Sequence, residues 1–348
     1  MSLLDDEIAE QPEALANFLD TEIPASARFQ RLVRDPDLRY VVVAARGSSD
    51  NAARYAQYVF GVRLRLPVAL AVPSVISVYE RPPRLDGALV VGVSQSGRSP
   101  DIVGVLRTAT EQGRPSIAVT NDSGSPLAET AKEVLPLHIS EERSVAATKT
   151  YSCSLAALAL LCASGLEGEE ARRAETELRA LPPIVDSVVG QAVSEKEIAN
   201  RFGHIEHCAV IGRGFNYGTA YEIALKIKEL SGVIAEPYSP PDLLHGPIAA
   251  IHRGFPVVVV APEDATLPGL RDIAVTLNER GANLIAITAD EALQRIAGSA
   301  FTLPAQPRDW LTPLVTVVPG QVFAANLARA QGADPDHPVG LTKVTETY

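Results

Sequence analysis

The sequence predicts an α/β protein made of two tandem doubly wound (flavodoxin-like) parallel-sheet domains, on three observations. Short β-branched runs alternate with helical stretches of about a dozen residues, the pattern of strand–helix–strand units. The run Ala88 to Val93 is apolar throughout, as in a strand buried on both faces, and stops at Ser94-Gln95-Ser96-Gly97-Arg98-Ser99 before Pro100 and Asp101 open a helix. The turn Arg46-Gly47 recurs as Arg213-Gly214, each time between an apolar run and a helical one, which marks an internal repeat.

The elements follow in order. A helix is expected over residues 4 to 22, with Leu4, Ile8, Leu15 and Leu19 on its apolar side and Pro12 bending or interrupting it. Strand Tyr40 to Ala45 leads through Arg46-Gly47-Ser48-Ser49 into a helix from Asp50 to Phe60. Val68 to Val72 and Ala88 to Val93 are the next strands, and the helix after Asp101 stops at Gln112-Gly113, where glycine suits a helix end. Strand Ser116 to Thr120, the turn cluster Asn121 to Pro126 and strand Val134 to Ile139 close the first set. Glu141 to Thr150 enters an apolar helix that runs to Ser164; charged Glu167 to Arg179 and Pro182-Pro183 mark a connecting helix and a boundary. The second set has strands from Cys208 to Gly212, Pro256 to Ala261, Asn283 to Thr288 and Phe301 to Leu303, with helices over Tyr217 to Ser231 and Leu270 to Arg280. The division expected is an N-terminal helix (1–25), a first domain (26–165), a connecting helix (166–200), a second domain (201–333) and a tail (334–348).

Composition narrows the function. At 348 residues the chain can bury two cores, and 46% hydrophobic with 21% charged residues is ordinary for a globular protein. A net charge of −11 without basic runs argues against nucleic acid as partner, while a local cradle could still hold a small anion. Cys153, Cys162 and Cys208 lack paired spacing and read as reduced core residues of a cytoplasmic protein. The acidic start is not a signal peptide, and Leu155 to Leu161 is too short to cross a membrane. No histidine or cysteine stands at metal-ligand spacing, and neither metal nor cofactor is expected.

Ser94 to Ser99 sits at a helix N-terminus, where free N–H groups and the helix dipole favour an anion; three hydroxyls and an amide add donors of phosphate size. Taken alone, it is either a phosphate cradle or a serine-rich turn without ligand. No Gly-Lys-Ser/Thr follows, so it is not a Walker loop. Pro262-Glu263-Asp264 follows a strand of the second set, and its acids make an anion cradle implausible there, so one phosphate site per chain is expected. Glu222, Lys226 and Glu229 share one helix face, where spacing alone favours a solvated ion pair. The proline-bracketed loop Pro240 to Pro247 holds His245, a candidate catalytic group although a lone loop histidine is usually structural. His204 and His207 are taken as structural. Lys343 gains chemical value only if the tail folds over a pocket, where a desolvated amine can form an imine.

Together these motifs resemble the sugar isomerase (SIS) domain family, and within it the isomerase half of the glutamine–fructose-6-phosphate transaminases (glucosamine-6-phosphate synthases). The resemblance runs from about Glu7 to Lys343. It rests on Gly47-Ser48-Ser49, Ser94-Gln95-Ser96-Gly97, Val145-Ala146-Ala147-Thr148-Lys149, Gly212-Arg213-Gly214, Ala224 to Glu229, Leu244-His245-Gly246-Pro247 and Asp336 to Lys343.

The resemblance implies that Ser48, Ser94, Gln95, Ser96 and Ser99 bind the sugar phosphate, with Val145, Ala147 and Thr342 lining the sugar. It implies that Glu229 moves a proton between C1 and C2, that Lys226 tunes the charge around it, and that His245 opens the sugar ring from the neighbouring subunit of a homodimer. It implies, too, that Lys343 forms an imine with the ketose carbonyl. Ala147, Thr342 and Arg98 depart from the synthase pattern, which usually has serine, alanine and an acid there. No glutaminase domain is expected before the first helix. Ser94 to Asp101 looks like the glutaminase-free branch that includes glucosamine-6-phosphate deaminases. The expected reaction is therefore glucosamine 6-phosphate and water to fructose 6-phosphate and ammonia. The alternatives are isomerisation or deamination of another sugar phosphate, such as a galactosamine or fructosamine derivative, a non-catalytic sugar-phosphate sensor, and a synthase subunit fed ammonia by a separate glutaminase.

Overall fold

The computed structural model describes residues 2–343. In chain order its elements are α1 (Leu3–Ala9), α2 (Gln11–Ala25), α3 (Ala27–Val33), β1 (Tyr40–Ala44), α4 (Ser48–Leu64), β2 (Val68–Leu70), α5 (Ser74–Ser77), β3 (Ala88–Val93), α6 (Pro100–Glu111), β4 (Ser116–Thr120), α7 (Pro126–Thr130), β5 (Glu133–Pro136), α8 (Lys149–Gly165), α9 (Gly168–Arg179) and α10 (Leu181–Ser194). Then come β6 (His207–Ile211), α11 (Tyr217–Ser231), β7 (Ile234–Tyr238), α12 (Pro240–Leu244), β8 (Pro256–Val260), α13 (Leu267–Glu279), β9 (Asn283–Thr288), α14 (Glu291–Ala297), β10 (Ala300–Thr302) and α15 (Pro313–Ala330).

The strands form two wholly parallel sheets, ordered β2-β1-β3-β4-β5 and β7-β6-β8-β9-β10. Both orders place the second strand outside the first and the third on its other side, the doubly wound arrangement the sequence predicts. Every residue of β3, β4 and β8 is buried, as the β-branched runs require of central strands. Contacts gather the chain into two units. One holds 13–142, 149–179 and residues 342–343; the other holds residues 2–12, 143–148 and 180–341. Each unit thus carries one sheet. The last tail residues, 344–348, lie outside the described residues.

Several elements differ from the sequence expectation, each for a local reason. The helix expected over 4–22 is two, α1 and α2, interrupted at Glu10. Pro12 has no N–H to offer the Ile8 carbonyl, and the Gln11 side chain supplies that donor instead, Nε2 to O at 3.0 Å. The strand expected to reach Ile139 stops at Pro136, and His138 lies at φ 53, where no strand continues. The connecting helix is two helices, α9 and α10, and Pro182-Pro183 lie in the first turn of α10. Strand β7 escaped detection because it is short, sits at a sheet edge and contains Pro237, which an edge tolerates.

Helix α15 also went unread, and it shapes the second unit. It is long and apolar enough to cross a membrane by length and composition, but 94% of that stretch is buried inside the fold, as for a core helix. Gly320 lets it approach α11: a Cβ there would lie 2.3 Å from Ile223 Cγ1. Asn216, just before α11, donates to Thr312 Oγ1 at 2.7 Å and accepts from Thr316 Oγ1 at 2.5 Å. These contacts fix the helix that carries Glu222, Lys226 and Glu229.

Candidate active site

The serine loops lie at the carboxyl ends of β1 and β3, which pair in parallel and flank the point where the winding of the sheet reverses. Ligands of such sheets bind in the crevice at that point. Gly47, at φ 54, turns the chain into α4, whose first residue is the half-buried Ser48, and a Cβ at Gly47 would meet nothing within 4 Å. The second loop is held from within. Ser94 Oγ accepts from Gly97 N at 3.2 Å, and the Gln95 carbonyl accepts from Thr120 Oγ1 and Asn121 N, each at 3.1 Å. Gly97 lies at φ 61, and a Cβ there would fall 2.0 Å from Ser125 Oγ, so only glycine fits. Ser96 Oγ accepts weakly from Arg98 N. Ser99 occupies the N-cap of α6 and makes no capping bond; in the first turn Pro100 has no N–H, and Ile102 N donates to Asp101 Oδ1 at 2.9 Å.

Arg46 ties the two loops together. Its guanidinium donates from Nε at 2.8 Å and Nη2 at 2.7 Å to Asp101 Oδ2, on a carboxylate whose side chain is 2% exposed. Arg98 reaches across its own loop to Asp122 at 3.0 Å. The same unit receives the tail: Thr342 is exposed, and Lys343 Nζ donates at 2.8 Å to Glu142 Oε2. Ser48, Ser94, Gln95, Ser96, Ser99, Thr342 and Lys343 therefore belong to one unit.

The other unit carries Glu229, Lys226, His245, Val145 and Ala147. Along α11 the side chains of Glu222 and Lys226 are 0% and 2% exposed, so the solvated-pair reading is overturned. Helix α11 packs against α15, β6 and β7, and a buried ammonium requires carboxylate partners. Lys226 Nζ lies 3.5 Å from Glu222 Oε1 and forms a closer bond to Glu229 Oε2, whose side chain keeps 25% exposure. The result is a proton-bearing group with one carboxylate locked behind it and one open to a ligand. His245, exposed at the end of α12, donates from Nδ1 to the Pro241 carbonyl at 2.7 Å; its neutral tautomer therefore presents Nε2 as a base. Ser239 caps α12, and Asp242 accepts from Ser239 Oγ and, at 3.4 Å, from Tyr217 Oη of α11.

Val145 and Ala147 are half-buried, between the fully buried Ser144, Ala146 and Thr148, so alternate residues of this segment face outward. Glu7 of α1 anchors it. Its buried carboxylate accepts from Arg143 N at 2.5 Å, from Ser144 N at 3.2 Å and from Ser144 Oγ. Asp336, in turn, accepts from Leu3 N at 2.9 Å and Leu4 N at 3.0 Å at the start of α1. Sequence reasoning missed Arg46, Asp101 and Glu142 beside the loops and tail of one unit, and Glu7 beside the 143–148 segment of the other. An Arg-Gly pair repeated in matching turns was the available signal for Arg46; nothing in local spacing points to the others. Among the described residues no group of three or more His, Cys, Asp or Glu is placed to hold a metal ion.

Comparison with known proteins identifies the family. The SIS domain pattern matches residues 37–164 and 204–330. A glutamine–fructose-6-phosphate aminotransferase (isomerizing) of Thermus thermophilus is 35% identical over 97% of this chain and 57% of its own, so the chain spans a little over half the length of that relative. Among solved structures, the C-terminal domain of glucosamine-fructose-6-phosphate aminotransferase from Francisella tularensis superposes with a TM-score of 0.86 at 26% identity, covering 97% of this chain and 98% of that one. Glucosamine-6-phosphate deaminase from Thermotoga maritima shares the fold, with a TM-score of 0.78 at 20% identity over 99% of this chain and 100% of that one. The chain belongs to the SIS domain family, with two copies of the domain, and is homologous along nearly its whole length to the isomerase half of the glutamine–fructose-6-phosphate aminotransferases.

Proposed function

We propose that the protein is a sugar-phosphate isomerase that acts as a deaminase, converting glucosamine 6-phosphate and water to fructose 6-phosphate and ammonia. The observation that carries a catalytic reading over a binding one is the buried Lys226 held between Glu222 and the partly open Glu229. A sensor needs no general base, whereas an isomerase must move a proton between adjacent carbons.

In this reading the phosphate binds the loop from Ser94 to Ser99 and the turn at Ser48, with Gln95, Val145, Ala147 and Thr342 against the sugar. His245 Nε2 takes the O1 proton and hands it to the ring oxygen as the ring opens, leaving an aldehyde at C1 and an ammonium at C2. Glu229 removes the C2 proton and returns it to C1 while one nitrogen proton passes to O1, which makes C1 an alcohol and C2 an iminium. Lys226, beside Glu229, stabilises its carboxylate form between the two transfers. Lys343 Nζ adds to C2 and displaces ammonia, and water then cleaves the lysine imine to give the ketose. The resemblance of Ser94 to Asp101 to the glutaminase-free branch favours this direction. We place the enzyme in the cytoplasm as a homodimer in which His245 comes from the neighbouring subunit; the three unpaired buried cysteines fit a reducing compartment.

The test is ammonia release from glucosamine 6-phosphate, galactosamine 6-phosphate and unphosphorylated glucosamine. Release from the first alone is expected. Release from galactosamine 6-phosphate instead would move the assignment to another amino-sugar phosphate. Silence with all three, despite binding of fructose 6-phosphate, would overturn the deaminase reading in favour of a sensor.

A further inference from the structure

We propose that Glu142 is the positioning residue for Lys343, and that it stores the proton which the lysine must shed before it can attack the sugar. The inference rests on the proposed imine chemistry of Lys343 and extends it to a residue with no assigned role.

Glu142 is 0% exposed at its side chain, and its carboxylate is held by fixed donors. Oε1 accepts from Thr150 N at 3.1 Å, and Oε2 accepts from Thr150 Oγ1 at 2.8 Å. Thr150 lies in the first turn of α8, so the carboxylate caps that helix and is stabilised by its dipole. Lys343 Nζ adds a third donor at 2.8 Å on Oε2. The tail before it faces solvent: Val339 is 98% exposed and Leu341 43%, whereas the Lys343 side chain is 25% exposed. Lys343 thus comes out of an exposed segment onto a rigid, buried anion.

That arrangement suits a covalent lysine in two ways. A long tail residue has many rotamers to lose, and a fixed carboxylate holds Nζ in one place before the sugar arrives. An ammonium has no lone pair, so it must first give up a proton, and Oε2 lies within hydrogen-bond distance to receive it. The proton balance then closes. With fructose 6-phosphate, the ketose used to trap the adduct, Nζ passes one proton to Glu142, its lone pair forms the bond to C2, a second Nζ proton moves to the carbonyl oxygen, and a carbinolamine results. Glu142 returns its proton through Nζ to the C2 hydroxyl, which leaves as water as the iminium forms. Nothing is oxidised or reduced, and Glu142 ends as it began. Glu142 does not itself touch the sugar.

The obvious competing role is purely structural, as the cap of α8. Two substitutions separate the roles. Glu142→Gln keeps an acceptor for Thr150 but removes the charge facing Lys343; Thr150→Val removes the hydroxyl and leaves the Glu142–Lys343 pair. The readout is borohydride reduction of the purified full-length protein with fructose 6-phosphate, with the Lys343 adduct quantified by peptide mass spectrometry beside kcat, KM and a melting curve. We expect Glu142→Gln to slow adduct formation and kcat at least tenfold with KM within threefold, and Thr150→Val to lower the melting temperature while trapping at the wild-type rate. Should Glu142→Gln not fold, Glu142→Asp keeps a capping carboxylate but withdraws it by one methylene, and adduct formation is expected to fall at least threefold. Wild-type trapping in Glu142→Gln or, failing that, in Glu142→Asp would overturn the inference and leave the imine reading standing. Equal slowing in Thr150→Val would do the same. Absence of any adduct in the wild-type protein would remove the imine reading itself, and Glu142's role with it.

Discussion

The two sheets have the same strand order and opposite chemistry at the same place. After β1 and β6 the chain presents the same Arg-Gly pair, Arg46-Gly47 and Arg213-Gly214; in the first sheet hydroxyls follow it and follow β3, whereas Pro262-Glu263-Asp264 follows β8 in the second. The first turn is roomy, with nothing within 4 Å of a Cβ on Gly47, whereas one on Gly214 would meet Thr266 at 2.9 Å. Thr266 donates its N and Oγ1 to Asp264 Oδ1 at 2.7 and 2.6 Å, which fills the second crevice with the protein's own groups. Burial pushes the Asp264 carboxyl above its usual range against those hydrogen bonds, and Asp264 Oδ2 has no hydrogen-bond partner. A phosphate would meet two carboxylates there. The fold supplies the crevice twice, and the loop residues give the two crevices different chemistry. The second unit keeps its chemistry elsewhere, on the buried face of α11.

If binding belongs to the first unit and proton transfer to the second, substitutions should divide accordingly. Glu229→Gln is expected to cost about 10²–10⁴ in kcat while leaving the Kd for fructose 6-phosphate within about tenfold, measured by turnover and calorimetry. Loss of binding with little loss of turnover would break the division at its centre.

Matched glycine substitutions test the two crevices directly. Gly97→Ala and Gly214→Ala both place a side chain at positive φ, 61° and 62°, and each should lose more than about 1 kcal/mol of stability in denaturant melts. Only Gly97→Ala should also weaken sugar-phosphate binding, by more than about tenfold, because its Cβ displaces the serine loop. Equal losses of affinity would mean that both crevices bind. Ser96→Ala should cost roughly 1–3 kcal/mol of binding, the range for a hydrogen bond to a charged group, and Glu263→Ala should leave affinity unchanged.

The smallest effect concerns the thiols, which the two units share. Burial pushes the thiols of Cys162 and Cys208 up to about 12 and that of Cys153 higher still. A thiol whose folded pKa is raised favours the folded state below the unfolded pKa of about 8.5, and that advantage is lost as pH climbs, by up to about 1.4 kcal/mol per pH unit for each thiol. Folded protein at pH 8 should therefore leave a thiol reagent unconsumed, and melting temperature should decline above about pH 9. A fast-reacting thiol in the native protein would contradict this burial.

Much of this was readable from local pattern. Strand runs such as Ala88 to Val93, the stop at Gln112-Gly113 and the serine loop before Pro100 each depend on a few adjacent residues, where β-branching, glycine and the missing proline N–H act at short range. Even the inequality of the two crevices was legible, because hydroxyls and carboxylates differ in kind. The site was legible in its residue types but not in their state. Spacing placed Glu222, Lys226 and Glu229 on one face yet favoured solvent for it; the burial of α11 comes from its packing among β6, β7 and α15, the last almost a hundred residues on, where Gly320 lets it approach Ile223. The partnership of Glu142 with Lys343 spans 201 residues, and that of Glu7 with Ser144 spans 137. Sequence by itself determined the alternation of elements, the two sheets and the loop chemistry, since those follow from backbone preference and side-chain type. Only the tertiary structure decided which charges are buried and which partner each one meets, because burial and long-range pairing are properties of how helices pack and carry no signature in the residues nearby.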